Sequence, residues 1–401
     1  MKNLARQIYR RIRAQFLQRM IPKSQAQLPP QQQDLHIEVL GFFQSISGIG
    51  ESARLCAQQL ANDGYTVTCT SVEKYFRKPN EIDWHWENPA TVKEINCRIF
   101  HLNPPMLPPV IFQLGLDKFK STFNIGYWAW ELETIPEEWI TALAYMNAIL
   151  TPSHFTTAAI QRYTEIPVIT ATHPVMRGES TSNIRMRLNI PEHAFVISSI
   201  FSFGSALERK NPQAIINAFK KTFNDAPDAY LVLKSNAGGD SPDKQQLLAL
   251  IANNPNIILI DQSWSKADVL GLIQTSDIYA SLHRSEGFGL TIAEALLLDT
   301  PVLVTAWSGN MDFCSEENSF LVPFKPIKVN SSHPEFREFE NATWADADIE
   351  YTANILRDTY ATRQILAQKT PNCASQINHC IASNKYQNAL QKLVTLQNQN
   401  L

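Results

Sequence analysis

From Asp34 onward, short apolar runs alternate with longer amphipathic ones. HIEVLGFF, YTVTCTSV, CRIFHLN, STFNIGYWAW, NAILTPS and IPVITATHPV are rich in β-branched and aromatic residues and are predicted as strands. ESARLCAQQLANDG between the first two predicts a helix that closes at Gly64, and EEWITALAYM and FTTAAIQRYT predict two more. The alternation restarts after Val175. A polar stretch, RGESTSNIRMRLNIPEH, reads as a linker with a short helix. Strands are then predicted at FVISSIFSF, AYLVLKSN, NIILID, DIYASLHR and PVLVTAW. The helices between them are NPQAIINAFKKTF, KQQLLALIAN, SKADVLGLIQTS and LTIAEALLLD. Repeated β/α alternation of this kind predicts parallel, doubly wound sheets. Residues 325–343 read as irregular, with helices from about Asp346 to the end.

The domain reading follows. Residues 1–33 form a basic extension, 34–175 a first Rossmann-like domain, 176–379 a second, and 380–401 a C-terminal helix expected to cross back to the first. The two domains are expected to face each other across a cleft, the default place for a ligand. In the extension, Leu4, Ile8, Ile12, Phe16 and Met20 recur every four positions, the spacing of one helix face. Seven cations and no acid accompany them, and the Gln/Pro-rich QAQLPPQQQ follows as a spacer. Residues 1–23 therefore fit a helix lying on an anionic membrane surface, a basic and partly disordered extension, or a helix packed on the body.

Composition narrows the classes. Hydrophobic residues are 44% and charged residues 18%, enough for two real cores in 401 residues. The net charge of −3 gives no electrostatic footprint for nucleic acid, and none is expected as a partner. No apolar run reaches the ~18 residues of a membrane span, and no signal peptide is visible. The six cysteines show no C-x-x-C pair and no zinc-ligand spacing. They read as free thiols of a reducing compartment, with no metal site expected. The expected location is cytoplasmic, with a peripheral seat on the inner membrane face if the helix binds there.

The densest chemistry lies in HRSEGFGLTIAEALLLDTPVLVTAWSGN, residues 283–310. Gly287-Phe288-Gly289-Leu290 feeds a helix, whose first N–H groups and dipole end suit a diphosphate. Glu294, about one turn inside, can accept from ribose hydroxyls, and Glu286 stands at the mouth, near a sugar carried on the diphosphate. Arg209 and Lys210 at another helix start oppose the dipole there, which points to an anion they are placed to meet. Tyr127-Trp128-Ala129-Trp130-Glu131 follows a strand. Trp128 and Trp130 with Glu131 suit sugar stacking plus a hydroxyl contact, or a core aromatic row with a surface acid. His101, His154, His173 and His283 lie near strand ends and read as hydrogen-bonded structural histidines.

These residues carry a resemblance. Glu286 and Glu294 in S-E-G-F-G-L-x-x-x-E-A match the E-x7-E motif of the retaining glycosyltransferases of family four, which have the GT-B fold. T-A-W-S-G-N-M-D-F, S-A-L-E-R-K-N-P and Trp344-Ala345-Asp346 also resemble that family. G-F-F-Q-S-I-S-G-I-G-E-S-A-R and G-Y-W-A-W-E-L-E-T-I-P-E-E-W resemble a bacterial branch of it. The resemblance implies transfer of a sugar from a nucleotide-sugar to a glycan or lipid-linked acceptor, in cell-surface polysaccharide or glycolipid assembly, with neither metal nor cofactor. It implies that Lys210 and Arg209 neutralise the donor diphosphate and that Gly289 and Leu290 offer backbone N–H groups to it. Glu286 would bind the sugar, Glu294 the ribose, and Gly287, Phe288 and Gly309 complete the donor set. Gly48 and Gly50 would form the glycine loop of the first domain. The family's H-x-H is missing, and its Arg and Lys are usually several residues apart.

Other readings remain open at this stage. Gly48-x-Gly50-x-x-Ala53, with Glu73 about 20 residues on, fits a dinucleotide fingerprint and an NAD-dependent oxidoreductase, though the loop before it is long and Glu286 and Glu294 go unexplained. A catalytically inactive GT-B binding protein and another GT-B chemistry, such as an epimerase or phosphorylase, are the remaining alternatives.

Overall fold

The computed structural model describes residues 12–13, 16–90, 94–224, 226–236, 238–339 and 341–399. Leu4 and Ile8 of the N-terminal stripe lie outside these. The chain divides into two units: one holds the chain up to Pro174 together with the segment from Ile381 onward, the other Val175–Cys380.

The first unit is built on six parallel strands: β1 (His36–Gly41), β2 (Thr66–Ser71), β3 (Cys97–Phe100), β4 (Phe123–Tyr127), β5 (Ala148–Thr151) and β6 (Val168–Thr170). Their order is β2-β1-β3-β4-β5-β6. The helix Gly48–Asn62 starts where the Ser47 hydroxyl accepts the Gly50 N–H, 3.2 Å, and the chain turns away at Gly64, φ 88°. Its buried residues Ala53, Cys56, Ala57 and Leu60 keep helical spacing and pack on Ile37, Val39, Ile99 and Ile125. The helix Tyr386–Gln399 places Tyr386, Ala389, Leu390 and Leu393 on the same core. Strand β2 is an edge, and the loop after it covers that edge. Asn88 accepts from the Cys69 N–H at 2.8 Å and donates to the Cys69 carbonyl at 3.3 Å. Trp84 stacks on Phe43 with centroids 4.6 Å apart.

The N-terminal extension packs on this unit. Residues 16–20 are helical, Ile21 and Leu28 are buried, and Leu28 joins the core. Ser24 donates to the Lys120 carbonyl, 2.8 Å, and Asn147 donates to the Ser24 carbonyl, 3.0 Å. The Gln/Pro-rich stretch is therefore a packed strap rather than a free spacer. Among the described residues no helix is long and apolar enough to cross a membrane. All six cysteines are unpaired.

The second unit has six parallel strands, β7 (Phe195–Ile200), β8 (Ala229–Ser235), β9 (Ile257–Asp261), β10 (Ile278–Ser281), β11 (Val302–Thr305) and β12 (Ser319–Val322). Read from one edge their order is β9-β8-β7-β10-β11-β12. This is the doubly wound order of a Rossmann sheet, and its direction reverses between β7 and β10. In sheets of this order the carboxyl ends of the strands beside the reversal are the usual place for a ligand. Strand β12 and the antiparallel pair β13 (Phe324–Lys328) and β14 (Thr343–Ala347) are missing from the sequence reading. F-K-P-I-K has a proline inside, which a two-stranded ribbon tolerates and a central strand does not. Phe336, between them, is buried against Trp344, centroids 6.0 Å apart.

A polar knot is buried in the first unit. Ser52 Oγ lies 3.1 Å from His101 Nδ1 and 3.2 Å from His173 Nδ1, and the Tyr127 hydroxyl is 3.1 Å from His173 Nδ1 and donates to the Ala171 carbonyl, 2.8 Å. Burial disfavours the imidazolium form, lowering His173 to about 3 and His101 well below its ordinary value. Both folded-state values lie below the unfolded value of ~6.5, so the unfolded chain takes up protons that the fold refuses. Stability is then complete above about pH 6.5 and falls with acid by on the order of 1.4 kcal/mol per pH unit per histidine. We expect the melting temperature to drop steadily from pH 6.5 to pH 4.5, and His173→Gln to flatten that slope in thermal scans.

Candidate functional site

The polar side chains of the second unit converge at the β7/β10 reversal. The loop after β7 runs through Phe201 into the short helix Leu207–Lys210, and Asn211, φ 50°, passes the chain to the helix Pro212–Phe223. Besides the contacts of Glu286, four hydrogen bonds tie this loop to the one after β10, one of them from Arg284 Nη1 to the Glu208 carbonyl, 2.9 Å. Arg209 Nη1 donates to the Ser285 carbonyl at 2.8 Å, the Arg284 N–H to the Arg209 carbonyl at 2.7 Å, and Asn211 to the Leu282 carbonyl at 3.0 Å.

Between the loops sits Glu286. Lys210 Nζ lies 2.5 Å from one carboxylate oxygen and Arg209 Nη1 3.3 Å from the other. Glu286 and Arg209 are buried, and Lys210 is partly exposed. Burial pushes the Glu286 carboxyl up, but Lys210 and then Arg209 outweigh it and hold it at about 2. The site thus contains an ionised carboxylate clamped by two cations. Behind it His283 is fully buried, with the Asn310 side chain beside it. Burial brings it to about 4, against the opposing pull of Glu286, so it stays neutral near pH 7.

The glycine turn follows. Gly289, φ 96°, caps the helix Leu290–Leu297, and a left-handed residue there favours glycine. Glu294 is buried inside that helix and pairs with the half-exposed Lys266. The loop after β11 closes the turn from the side. The Gly309 N–H donates to the Glu286 carbonyl, 2.9 Å, and Ser308 Oγ accepts the Glu286 N–H, 2.8 Å. A Cβ on Gly309 would sit 2.3 Å from the Gly287 carbonyl oxygen and 2.8 Å from the Phe288 nitrogen. The β13–β14 ribbon braces the back of the cation loop. The Ala345 N–H donates to the Arg284 carbonyl, 2.9 Å, Arg284 pairs with Asp346, 3.0 Å, and Phe336 lies 6.0 Å from the Arg209 guanidinium.

The structure thus gathers Arg209, Lys210, Glu286, Gly287, Phe288, Gly289, Leu290, Glu294 and Gly309 around one crevice. Sequence reasoning treats His283 only as a structural histidine and does not find Lys266. The Lys266–Glu294 pairing depends on tertiary placement, which neither position signals in the chain. Phe288 is buried against Phe313, centroids 4.9 Å apart, so its side chain is a packing anchor for the turn.

The first-unit candidates fare differently. Trp128 and Trp130 are 0% and 2% exposed and pack on Trp139, so the aromatic row is core and opens no ring face to a sugar. The cause is the fold: both indoles pack on the helix Glu137–Leu143 instead of projecting outward. Glu131 is partly exposed. Gly48 is exposed at the start of its helix, whereas a Cβ on Gly50 would meet the Phe42 and Ser45 carbonyl oxygens at 2.6 and 2.8 Å. Closure of the loop on itself accounts for that glycine. Glu73, the acid of the dinucleotide reading, accepts the Gln44 N–H at 2.6 Å and is buried there. It holds the loop rather than facing a ribose. Among the described residues no three His, Cys, Asp or Glu group as a metal site.

Comparison with known proteins bears on the fold and on the family of the second unit. Residues 183–340 match the family model for glycosyl transferases group 1, a span that contains the whole second-unit crevice. HepE of Anabaena in complex with UDP-glucose is similar in fold, with a TM-score of 0.61 at 14% identity, covering 92% of this chain and 100% of that one. Sucrose-phosphate synthase of Thermosynechococcus elongatus gives 0.63 at 12%, covering 91% and 98%. A glycosyltransferase of Rickettsia africae gives 0.59 at 15%, covering 89% and 96%. No curated protein matches the chain at a significant level. The fold is that of the GT-B glycosyltransferases, two Rossmann-like units. With the family match over the second unit, it supports a role in glycosyl transfer.

Because the atoms facing Gly309 are all backbone, they cannot yield as a side chain would. Gly309→Ala should cost about 1–3 kcal/mol, read as a lowered melting temperature. It should also weaken binding of a nucleoside diphosphate in titration calorimetry, since the turn it displaces carries Gly287 and Gly289.

Proposed function

We propose that the chain is a retaining glycosyltransferase that moves a sugar from a nucleotide-sugar to a glycan or lipid-linked acceptor in cell-surface polysaccharide or glycolipid assembly, without a metal ion. The observation that carries this reading is the clamped Glu286. Two cations on one buried carboxylate at the mouth of a glycine turn and helix start form a site whose counter-ion can be exchanged. A donor diphosphate brings more negative charge to Lys210 and Arg209 than one carboxylate does. It would take over those cations and meet the first N–H groups of the helix Leu290–Leu297. Glu286, released, would accept from hydroxyls of the transferred sugar. Glu294 would exchange Lys266 for the ribose hydroxyls.

The chemistry then balances with this chain's groups alone. The bond from the sugar's anomeric carbon to the diphosphate oxygen breaks, and the electron pair leaves with the diphosphate. Lys210 and Arg209 stabilise the charge that develops there. The acceptor hydroxyl attacks the anomeric carbon from the same face and passes its proton to the departing diphosphate oxygen. Retention follows from that shared face. Glu131 is the acceptor-side candidate that the burial of Trp128 and Trp130 leaves standing. The inactive-protein alternative finds no missing acid or base here, and the oxidoreductase alternative loses its ribose acid to Gln44.

Three measurements test the reading. Lys210→Ala should lower kcat by roughly two orders of magnitude or more, since removing one stabilising charge from a leaving group costs about that much. Turnover equal to wild type would reject the assignment, and activity should persist in EDTA. Glu294→Ala should weaken nucleoside diphosphate binding by about 10- to 150-fold, the equivalent of ~1.5–3 kcal/mol for a hydrogen bond to a charged group. NMR of the product linkage should show the donor's anomeric configuration, and an inverted linkage overturns the mechanism.

A further inference from the structure

The N-terminal helix meets its unit along one face and turns a different, apolar face outward. Arg13 and Leu17 line a small cleft with Pro105, Pro108, Glu138 and Tyr145. Ile12, Phe16 and Met20, spaced one turn apart, are 62%, 58% and 42% exposed. On the elements forming the other wall of the cleft, Phe112 lies one turn beyond Pro108 and Ile140 next to Thr141, and both are exposed. Single exposed apolar residues need no explanation, but three spaced along one helix face do. The packing contact uses the other side of the helix, so burying the stripe is not what holds the helix in place.

The charge around this face is predominantly positive. The described cations of the extension are Arg13, Arg19 and Lys23, and it carries no acid. Arg19 and Lys23 are exposed, as are Lys118 and Lys120. The Ser24 bond to the Lys120 carbonyl brings the end of the extension beside that second pair. The acids of these elements are Asp117, Glu137 and Glu138, the last lying in the cleft with Arg13. An apolar stripe flanked by cations matches a surface that is apolar inside and anionic at its boundary. A second copy of the chain would bring a like-charged face against this one, which disfavours self-association.

We propose that this face docks on an anionic lipid bilayer. Ile12, Phe16 and Met20 enter the boundary between headgroups and acyl chains, and Arg19, Lys23, Lys118 and Lys120 sit at headgroup level. The proposal does not depend on the glycosyl-transfer reading.

Sedimentation of the full-length protein with lipid vesicles tests it. Vesicles of phosphatidylcholine with about 30 mol% phosphatidylglycerol should carry the protein down at least tenfold more strongly than phosphatidylcholine alone. Binding should weaken at about 1 M salt, where the Debye length is ~3 Å. Ile12→Gln/Phe16→Gln and, separately, Arg19→Glu/Lys23→Glu should each weaken binding at least tenfold, with melting temperature and nucleoside diphosphate affinity unchanged. Wild-type protein remaining in the supernatant with the anionic vesicles overturns the proposal. So does equal binding by both variants. A concentration-dependent dimer in light scattering that Ile12→Gln/Phe16→Gln abolishes would instead assign the face to a second copy. Failure of the wild type to bind any nucleoside diphosphate would reject the transfer reading and leave the vesicle result standing.

Discussion

Glu286 is a carboxylate taken out of water, and the architecture of the second unit can be understood from what that requires. A buried anion with one partner removed costs about 3–5 kcal/mol. Lys210 and Arg209 must therefore both be brought to it, from a loop more than seventy residues away in the chain. The Rossmann order makes this possible, because β7 and β10 are neighbours in the sheet although two strands and their helices separate them in sequence. The backbone bonds between their loops then leave the cations little freedom. Two cations are thus fixed around one internal anion, the arrangement on which the proposed diphosphate site rests.

That arrangement is braced from outside the sheet. Arg284 links the loops to the β13–β14 ribbon: its side chain pairs with Asp346 and donates to the Glu208 carbonyl, and its own carbonyl accepts the Ala345 N–H. Ser331 and Ser332, in the ribbon's loop, both bind the carboxylate of Glu208, the residue before Arg209. The cation loop is therefore gripped on two sides, by the β10 loop and by an insertion with no part in either main sheet.

Much of this is legible in the chain because the relevant signals are local. Each strand–helix alternation lies within about thirty residues, and the Gly-Phe-Gly-Leu turn and the Glu286–Glu294 spacing fall within one loop and one helix. The expected α/β fold with two parallel sheets follows from these signals. What escapes is decided between distant segments. Lys266 meets Glu294 only through packing of two helices. Trp128 and Trp130 read equally well as a sugar platform or as core, and only the position of Trp139 decides. The ribbon escapes because Pro326 and its charged neighbours resemble a loop until a partner strand is present. Of the N-terminal stripe, periodicity gives the face but not the direction it points.

The helix Tyr386–Gln399 has a consequence for how the molecule is made. Its Tyr386, Leu390 and Leu393 fill the core formed by β1, β3 and β4, yet they leave the ribosome after every strand of the second unit. Domains generally fold as units during synthesis. The second unit can close as soon as its contiguous stretch emerges, while the first, begun earlier, must wait with an incomplete core until the last helix arrives. A nascent chain stalled before Tyr386 would therefore present its oldest part as the less protected one, and chaperones or proteases would meet it in that order.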